Sequence, residues 1–464
     1  MADVVARLIG EKLHLTINNM TLTQRSDGAW VFPEVNVEPL AYDPAVMSAV
    51  QYSPVIGQSL GQGKSGGMDE TLVQAFLAKA FPQAKTTTTY GDLVPAIATN
   101  LTLSGGTVPR LSGEHPLLGL LGFAYELGNA LTDVSAEHRI GINNAAGGSA
   151  LSYSVKGGAA YSSTMAALTA AKNFASSIGK SVFYTGPAIY QGESNLNDTK
   201  AQYLAPFVQL AADHSADGQA ITGQTLPPAL FTYITCSNPL NTATRSGVAR
   251  AQHFGAIDYA TGASAVPIIL STPTYFMASM YDPTGLHYPA DWTYMLGAYA
   301  RLAQYYCYEL ASDLPLNERF PPMHPVNVEV AGAVMTVTYQ MRRPGLSLEW
   351  GVADRPNGDG FALQEDYGFA AHDGTTLVPL NTPEIIGTNQ IRFTLGSGTW
   401  GNGYRLGYAL DRPTKNHLFF KGNGGNLRDN HGDTVRCARM NLPMHNWAAP
   451  IDINIGASNV WSMS

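Results

Sequence analysis

From residue 54 onward the chain alternates short, largely apolar runs with stretches whose apolar residues recur every three or four positions. A short apolar run suits a strand covered on both faces, and the covering elements are the helices between the runs. The runs Pro54–Ile56, Arg139–Ile142, Ser181–Tyr184, Ala229–Ile234 and Pro267–Leu270 therefore predict five strands of one doubly wound, parallel α/β sheet. Three intervening segments carry helical stripes. Met165, Leu168, Ala171, Ala175 and Ile178 share a face, with Gly179 placed to end the helix. Tyr203, Leu204, Phe207, Val208 and Ala211 form the second stripe, with Asn197 or Asp198 as N-cap. Residues 291–310 present Tyr294, Met295, Ala298, Leu302 and Tyr305 after Asp291. Each stripe reads as a face turned to the core.

The rhythm changes after residue 312. Prolines at 315, 321 and 322 stop a helix and begin extended chain. Val326, Val328 and Val330 then alternate, Gly332 supplies a turn, and Met335, Val337 and Tyr339 alternate on the return, which is a hairpin pattern. Further runs at Leu346–Trp350, Gln390–Leu395, Tyr404–Leu410 and Ile451–Ile455 fit a β-sandwich. Residues 1–50 read as an extended arm with a short alternation at Leu13, Leu15 and Ile17. The expected organisation is an arm (1–50), an α/β domain (51–312) and a C-terminal β-sandwich (313–464).

Charge narrows the partners. Charged residues make up 13% of the chain, about half the usual ~25%. The net charge is -8, so there is no basic field for a phosphate backbone and nucleic acid is excluded as a partner. No stretch approaches the ~20 apolar residues of a membrane span. Asp3 and Glu11 interrupt the N-terminus, which has no signal-peptide pattern. The three cysteines, Cys236, Cys307 and Cys437, are too scattered for a disulfide framework or a metal knuckle and read as small buried hydrophobes.

Four strings carry chemistry. The first strand runs into Gly57-Gln58-Ser59, which puts a hydroxyl at the carboxyl end of a strand, where open α/β sheets gather their sites. The second leads to Asn143-Asn144-Ala145-Ala146-Gly147-Gly148-Ser149, whose glycines let a backbone N–H approach a ligand. The third leads to Gln191-Gly192-Glu193-Ser194-Asn195, with amides suited to an oxyanion and a carboxylate able to orient a neighbour. Asp282 and His287 stand on the loop before the last helical stripe and supply an orienter and a base. Singly, each string also fits a plain turn, a loop cap or a surface histidine. Their order, each at the end of a successive strand or before the last helix, is what distinguishes them.

As a set the strings resemble the four blocks of the SGNH/GDSL hydrolases, most closely the sialate O-acetylesterase branch of the carbohydrate esterases, over residues 50–310. That resemblance implies a flavodoxin-like three-layer domain and a cofactor- and metal-independent removal of acetyl groups from sugars. It implies Ser59 as nucleophile and, by its own N–H, an oxyanion donor, Gly147 as the second donor, Gln191 or Asn195 as the third, and His287 as general base. Gln58 and Glu193 are candidates for orienting roles or substrate contact. The chain departs from the family at Leu60, where asparagine is usual and the loop would loosen, and at Thr284, where the acid of D-x-x-H would stand. Asp282 is the substitute acid, Glu193 the next, and a Ser-His dyad the third arrangement.

Gly425–Asp429 and His445–Trp447 resemble the ends of esterases from phage and prophage genomes. They imply a phage tail or other virion setting, with virion proteins as partners, a cytoplasmic location as the alternative, and a homo-oligomer left open. Trp350, Trp400, Tyr404 and Trp447 suit sugar stacking or a sandwich core. The expected function is a serine esterase acting on an acetylated glycan. The alternative is a non-catalytic virion structural or receptor-binding protein on the same scaffold.

Overall fold

The structure is a computed structural model that describes residues 4–9, 12–17, 20–24, 30–31, 49–62, 85–89, 92–95, 116–117, 119–120, 138–235, 247–280, 290–310, 312–351, 365–374, 376–410, 424–437 and 442–463. Asp282, Thr284, His287 and Cys236 lie outside them. The chain is mixed α/β, with a parallel sheet in its first two thirds and antiparallel sheets after it.

The parallel sheet begins with β1 (Val50–Tyr52) and β2 (Val55–Gly57), one strand interrupted at Ser53-Pro54 because proline lacks the N–H the ladder needs. β1 pairs with β3 (His138–Gly141) on one side and with β4 (Val182–Tyr184) on the other. β5 (Ala188–Tyr190) continues β4 and pairs with β2, then β6 (Leu230–Ile234) and β7 (Ile268–Pro273) complete that side. Counted as five chain passes, the order is second, first, third, fourth, fifth, so the chain reverses direction of travel beside the first strand. That reversal opens a crevice at the carboxyl ends of the central strands. A hairpin of Lys85–Thr89 and Asp92–Pro95 adds to the sheet beyond β3.

The helices cover the sheet for reasons their sequences state. α1 (Ala159–Ser177) is rich in alanine, the best helix former. It ends at Gly179 with φ +70, where Lys180 N–H donates to Ala175 O and Gly179 N–H to Ser176 O, the paired bonds of a glycine cap. α2 (Lys200–Thr222) starts not at Asn197 or Asp198 but at Thr199. Gln202 N–H donates to Thr199 Oγ1 and the Gln202 side chain accepts from Thr199 N–H; a reciprocal box satisfies two orphan donors where one acidic cap satisfies one. α3 (Gly247–Ala260) had no visible stripe, since Val248, Ala251, Ala256 and Tyr259 are buried around much of its circumference. α4 (Ala290–Gln304) falls where Tyr294, Met295, Ala298 and Leu302 predicted it, and runs into a wider turn at Tyr305–Glu309.

Downstream, β8 (His324–Ala331) and β9 (Val334–Gln340) form the expected hairpin around Gly332. A register shift between Pro325 and Asn327 breaks the expected alternation and leaves Val326 45% exposed. β9 also pairs with Gln390–Thr394. A five-stranded antiparallel sheet contains Phe369–Asp373, Tyr404–Tyr408 and Ile451–Ile455. Phe369 of that sheet packs 4.7 Å from Phe393 of the other.

This β-rich region shares its core with the α/β part. One buried apolar cluster runs from Val55 and Tyr190 through α4 to Phe393 and Ile453. Arg342 Nη1 donates to Leu270 O on the edge strand β7 at 2.7 Å, and Tyr275 OH donates to Ala448 O at 2.7 Å. Trp447 stacks on Phe276 at 4.5 Å, and both Trp400 and Trp447 are buried, so these two indoles fill the core. Cys307 and Cys437 are buried. The lead-in is structured too, with Val4–Ile9, Lys12–Ile17, Met20–Gln24 and Trp30–Val31 as an antiparallel meander. Among the described residues no helix is long and apolar enough to cross a membrane.

Candidate active site

Ser59 is positioned by the residue two before it. Gly57 ends β2 with φ +127, and a Cβ there would lie 2.1 Å from Tyr190 O. Only glycine permits both that dihedral and that closeness to β5. Gln58 N–H then donates to Tyr190 O at 2.9 Å, and a single helical turn, Ser59–Gln62, begins with the serine at its first position. Ser59 is half-buried, while Gln58 before it and Leu60 after it are each 2% exposed. Leu60 joins the apolar core, so the turn is pinned from below and not loosened.

The loop after β3 lies against this turn. Asn144 N–H donates to Val55 O at 2.8 Å and Ala146 N–H to Gly57 O at 3.0 Å, continuing the ladder past the strand end. Asn143 Nδ2 donates to Gly61 O at 2.8 Å and its Oδ1 accepts from Ala145 N–H at 3.0 Å. One asparagine thus ties both loops. Gly147 and Gly148 stand exposed at the loop's tip, Gly148 with φ +73.

The loop after β5 supplies the third side. Gln191 is 1% exposed; its Nε2 donates to Asn195 Oδ1 at 2.6 Å and points to Ser149 O at 3.4 Å. Its Oε1 accepts from Tyr203 OH at 2.5 Å. Both Gln191 N–H groups are therefore directed at protein acceptors. Asn195 Oδ1 also accepts from Leu151 N–H at 2.9 Å, and Asn195 Nδ2 donates to Asp198 at 2.7 Å. An amide nitrogen carries two hydrogens, so Asn195 keeps one N–H beyond this bond.

Glu193 binds the loops together. Its carboxylate accepts from Gln58 Nε2 at 2.6 Å, from Thr235 Oγ1 at 2.6 Å and from Tyr233 OH. Burial pushes its carboxyl above the usual carboxylate range, against the pull of the Thr235 and Tyr233 hydrogen bonds. Ser194 N–H donates to Gln58 Oε1 at 2.9 Å. Tyr233, Thr235 and Gln252, which donates to Gln191 O at 2.7 Å, were not singled out from sequence, and there Asn143 was only part of a glycine-bearing loop string and Tyr203 only part of a core stripe. A signal existed for one pair: Tyr233 and Thr235 are two apart at a strand end and so face one side.

The structure brings Gln58, Ser59, Gly147, Gln191, Glu193 and Asn195 to one edge of the sheet; Asp282 and His287 lie outside the described residues. As for metals, donor atoms of Glu349, Asp433 and His445 lie within 4.8 Å of one another. Protein groups already engage two of them, with Arg428 Nε 2.7 Å from Glu349 Oε1 and His445 Nδ1 2.6 Å from Asp429 O.

The two C-terminal strings meet, but inside the protein. Asp429 accepts from Asn446 N–H at 3.1 Å, Asn446 Nδ2 at 2.9 Å and His431 N–H at 3.0 Å. His431 Nε2 lies 2.8 Å from Tyr306 OH. Asn426, Asp429, His431, His445 and Asn446 are all buried.

No protein-family model and no curated protein matches the chain. Among solved structures, a carbohydrate acetylesterase from Xanthomonas citri overlays 95% of this chain and 84% of its own, at TM-score 0.49 and 14% identity. A protein from Arabidopsis thaliana overlays 55% of this chain and 98% of its own, at TM-score 0.39 and 14% identity.

Proposed function

We propose that the chain is a serine esterase that removes O-acetyl groups from a polysaccharide, with Ser59 as nucleophile. One observation carries this: Ser59 opens a helical turn at the carboxyl end of the central strand, with the loops of both neighbouring strands closed around it. A hydroxyl in that place can attack an ester carbonyl once a base takes its proton. In the proposed reaction His287 is that base and Asp282 its orienting acid. The carbonyl oxygen becomes an oxyanion held by the N–H groups of Ser59 and Gly147, with the remaining N–H of Asn195 favoured over Gln191 as third donor. Collapse expels the sugar hydroxyl, which recovers the proton from His287. Water then repeats the sequence on the acetyl-serine and releases acetate.

The test is acetate release from an acetylated glycan or from p-nitrophenyl acetate. Ser59→Ala should lower kcat by at least about 10³-fold, as loss of a nucleophile does. Full activity in that variant sinks the mechanism. Glycan binding by the wild type without turnover would favour the non-catalytic reading.

The proposed setting is a virion tail, supported by the resemblance of the C-terminal strings; proteomics of purified particles tests it.

A further inference from the structure

The side-chain amide of Gln58 is held by unlike groups at its two ends. Its Oε1 accepts from Ser194 N–H at 2.9 Å and its Nε2 donates to Glu193 Oε2 at 2.6 Å. Reversing the amide would set N–H against N–H and lone pair against lone pair, so one orientation is allowed. Gln58 is 2% exposed and directly precedes Ser59, so water cannot replace a lost partner and any tilt of its side chain passes to the turn. Glu193 is fixed in turn by Thr235 Oγ1 at 2.6 Å and by Tyr233 OH, both from the strand end beyond it. Three donors converge on the carboxylate from two separate strand ends. An ionised carboxylate satisfies all three; a neutral amide at the same place brings one oxygen and an NH₂ that opposes at least one of them.

The geometry points to Glu193 as a positioning residue that sets the orientation of the Gln58 amide and, through it, the turn that carries Ser59. It acts through Gln58 and not on substrate. Among the described residues the ionisable groups facing it are Tyr233, which donates to it, and Tyr203, whose hydroxyl is kept from ionising first by burial and then by the Glu193 charge. The kinetic consequence rests on the esterase reading above; the structural consequence does not.

Two measurements on the full chain therefore test it. In peptide-resolved hydrogen exchange, Glu193→Gln and Gln58→Ala should each speed exchange of the Ser194 amide about tenfold, since each removes its fixed acceptor. In steady-state kinetics, Glu193→Gln should lower kcat about 100-fold, the scale of a small misplacement of a reacting group, with KM within about threefold. The Glu193→Gln/Gln58→Ala double variant should lose no more than the worse single variant, since the two residues act in series. If Glu193→Gln does not fold, Thr235→Val, which removes one donor at nearly constant shape, should speed the same amide and lower kcat. Unchanged Ser194 exchange in a folded variant overturns the inference whether or not the wild type is an esterase. Wild-type kcat in folded Glu193→Gln overturns it too. Activity surviving in Ser59→Ala defeats the esterase reading alone.

Discussion

Two polar clusters, each centred on a carboxylate and side-chain amides, differ in where the backbone sets them. Around Ser59, carboxylate, amides and hydroxyls occupy the ends of parallel strands, and Ser59, Gly147 and Asn195 keep access to solvent. Around Asp429, carboxylate, amide and imidazoles lie wholly inside, with Asp429 0% and Asn446 2% exposed. What separates a candidate site from a structural knot is thus not the inventory of groups but whether the backbone carrying them terminates at a surface. Parallel strands end together at one edge and splay their loops outward. Asp429 instead ends a short strand that pairs with Leu348–Trp350 and is roofed by Asn446 and Trp447.

The sharpest way to break that contrast is at the two centres. Ser59→Ala should abolish acetate release while leaving the thermal midpoint within about 1 °C, since a half-exposed hydroxyl contributes little to stability. Asp429→Ala should do the reverse. It leaves three buried donors without an acceptor, at a cost of about 3 kcal/mol, which chemical denaturation would read, and in the folded fraction kcat should stay within about twofold. A large activity loss in folded Asp429→Ala would mean that the sealed cluster serves the reaction.

Acid should act through buried imidazoles in both regions, His214 and His253 on α2 and α3 and His445 beside Asp429. Burial holds the imidazoles of His214, His253 and His445 down at about 3, whereas in the unfolded chain they titrate near ~6.5. The folded state therefore refuses protons that the unfolded state accepts. Their contribution is complete above pH ~6.5 and is lost as pH falls toward 3, by up to about 1.4 kcal/mol per pH unit for each. Urea midpoints should drop between pH 7 and pH 5, and a flat profile would show that these rings are not buried neutral. At the small end, the exposed pair Arg392–Glu384, 3.2 Å apart, should yield only about 0.3 kcal/mol on Arg392→Ala. A larger value would mean that the outer face of the hairpin sheet is covered.

Much of this was legible in the residues. The five runs, the stripes of α1, α2 and α4, Gly179 as a cap and the hairpin at Gly332 each follow from local periodicity or local backbone chemistry, and they appear where those rules place them. The start of α2 did not, because an Asn cap, an Asp cap and a capping box compete within three residues and side-chain reciprocity decided for Thr199. α3 was missed because a helix covered on most sides has no polar face to reveal its period. The register shift at Pro325–Asn327 was invisible since alternation is a property of pairing, not of one strand.

The sequence by itself determined that this chain builds a parallel α/β sheet and that Ser59, Gly147, Gln191, Glu193 and Asn195 stand at the ends of its strands. Spacing along the chain fixes which strand end a residue occupies. Only the tertiary structure decided that Gln191 spends its amide on Asn195 and Ser149, that Glu193 gathers donors from two other strand ends, and that the Asp429 and His445 strings close on each other inside the core. Those outcomes depend on which groups face one another across strands far apart in sequence. A hydrogen bond is made only within about 3 Å and in one direction, so strand order and burial had to be known before the partners could be.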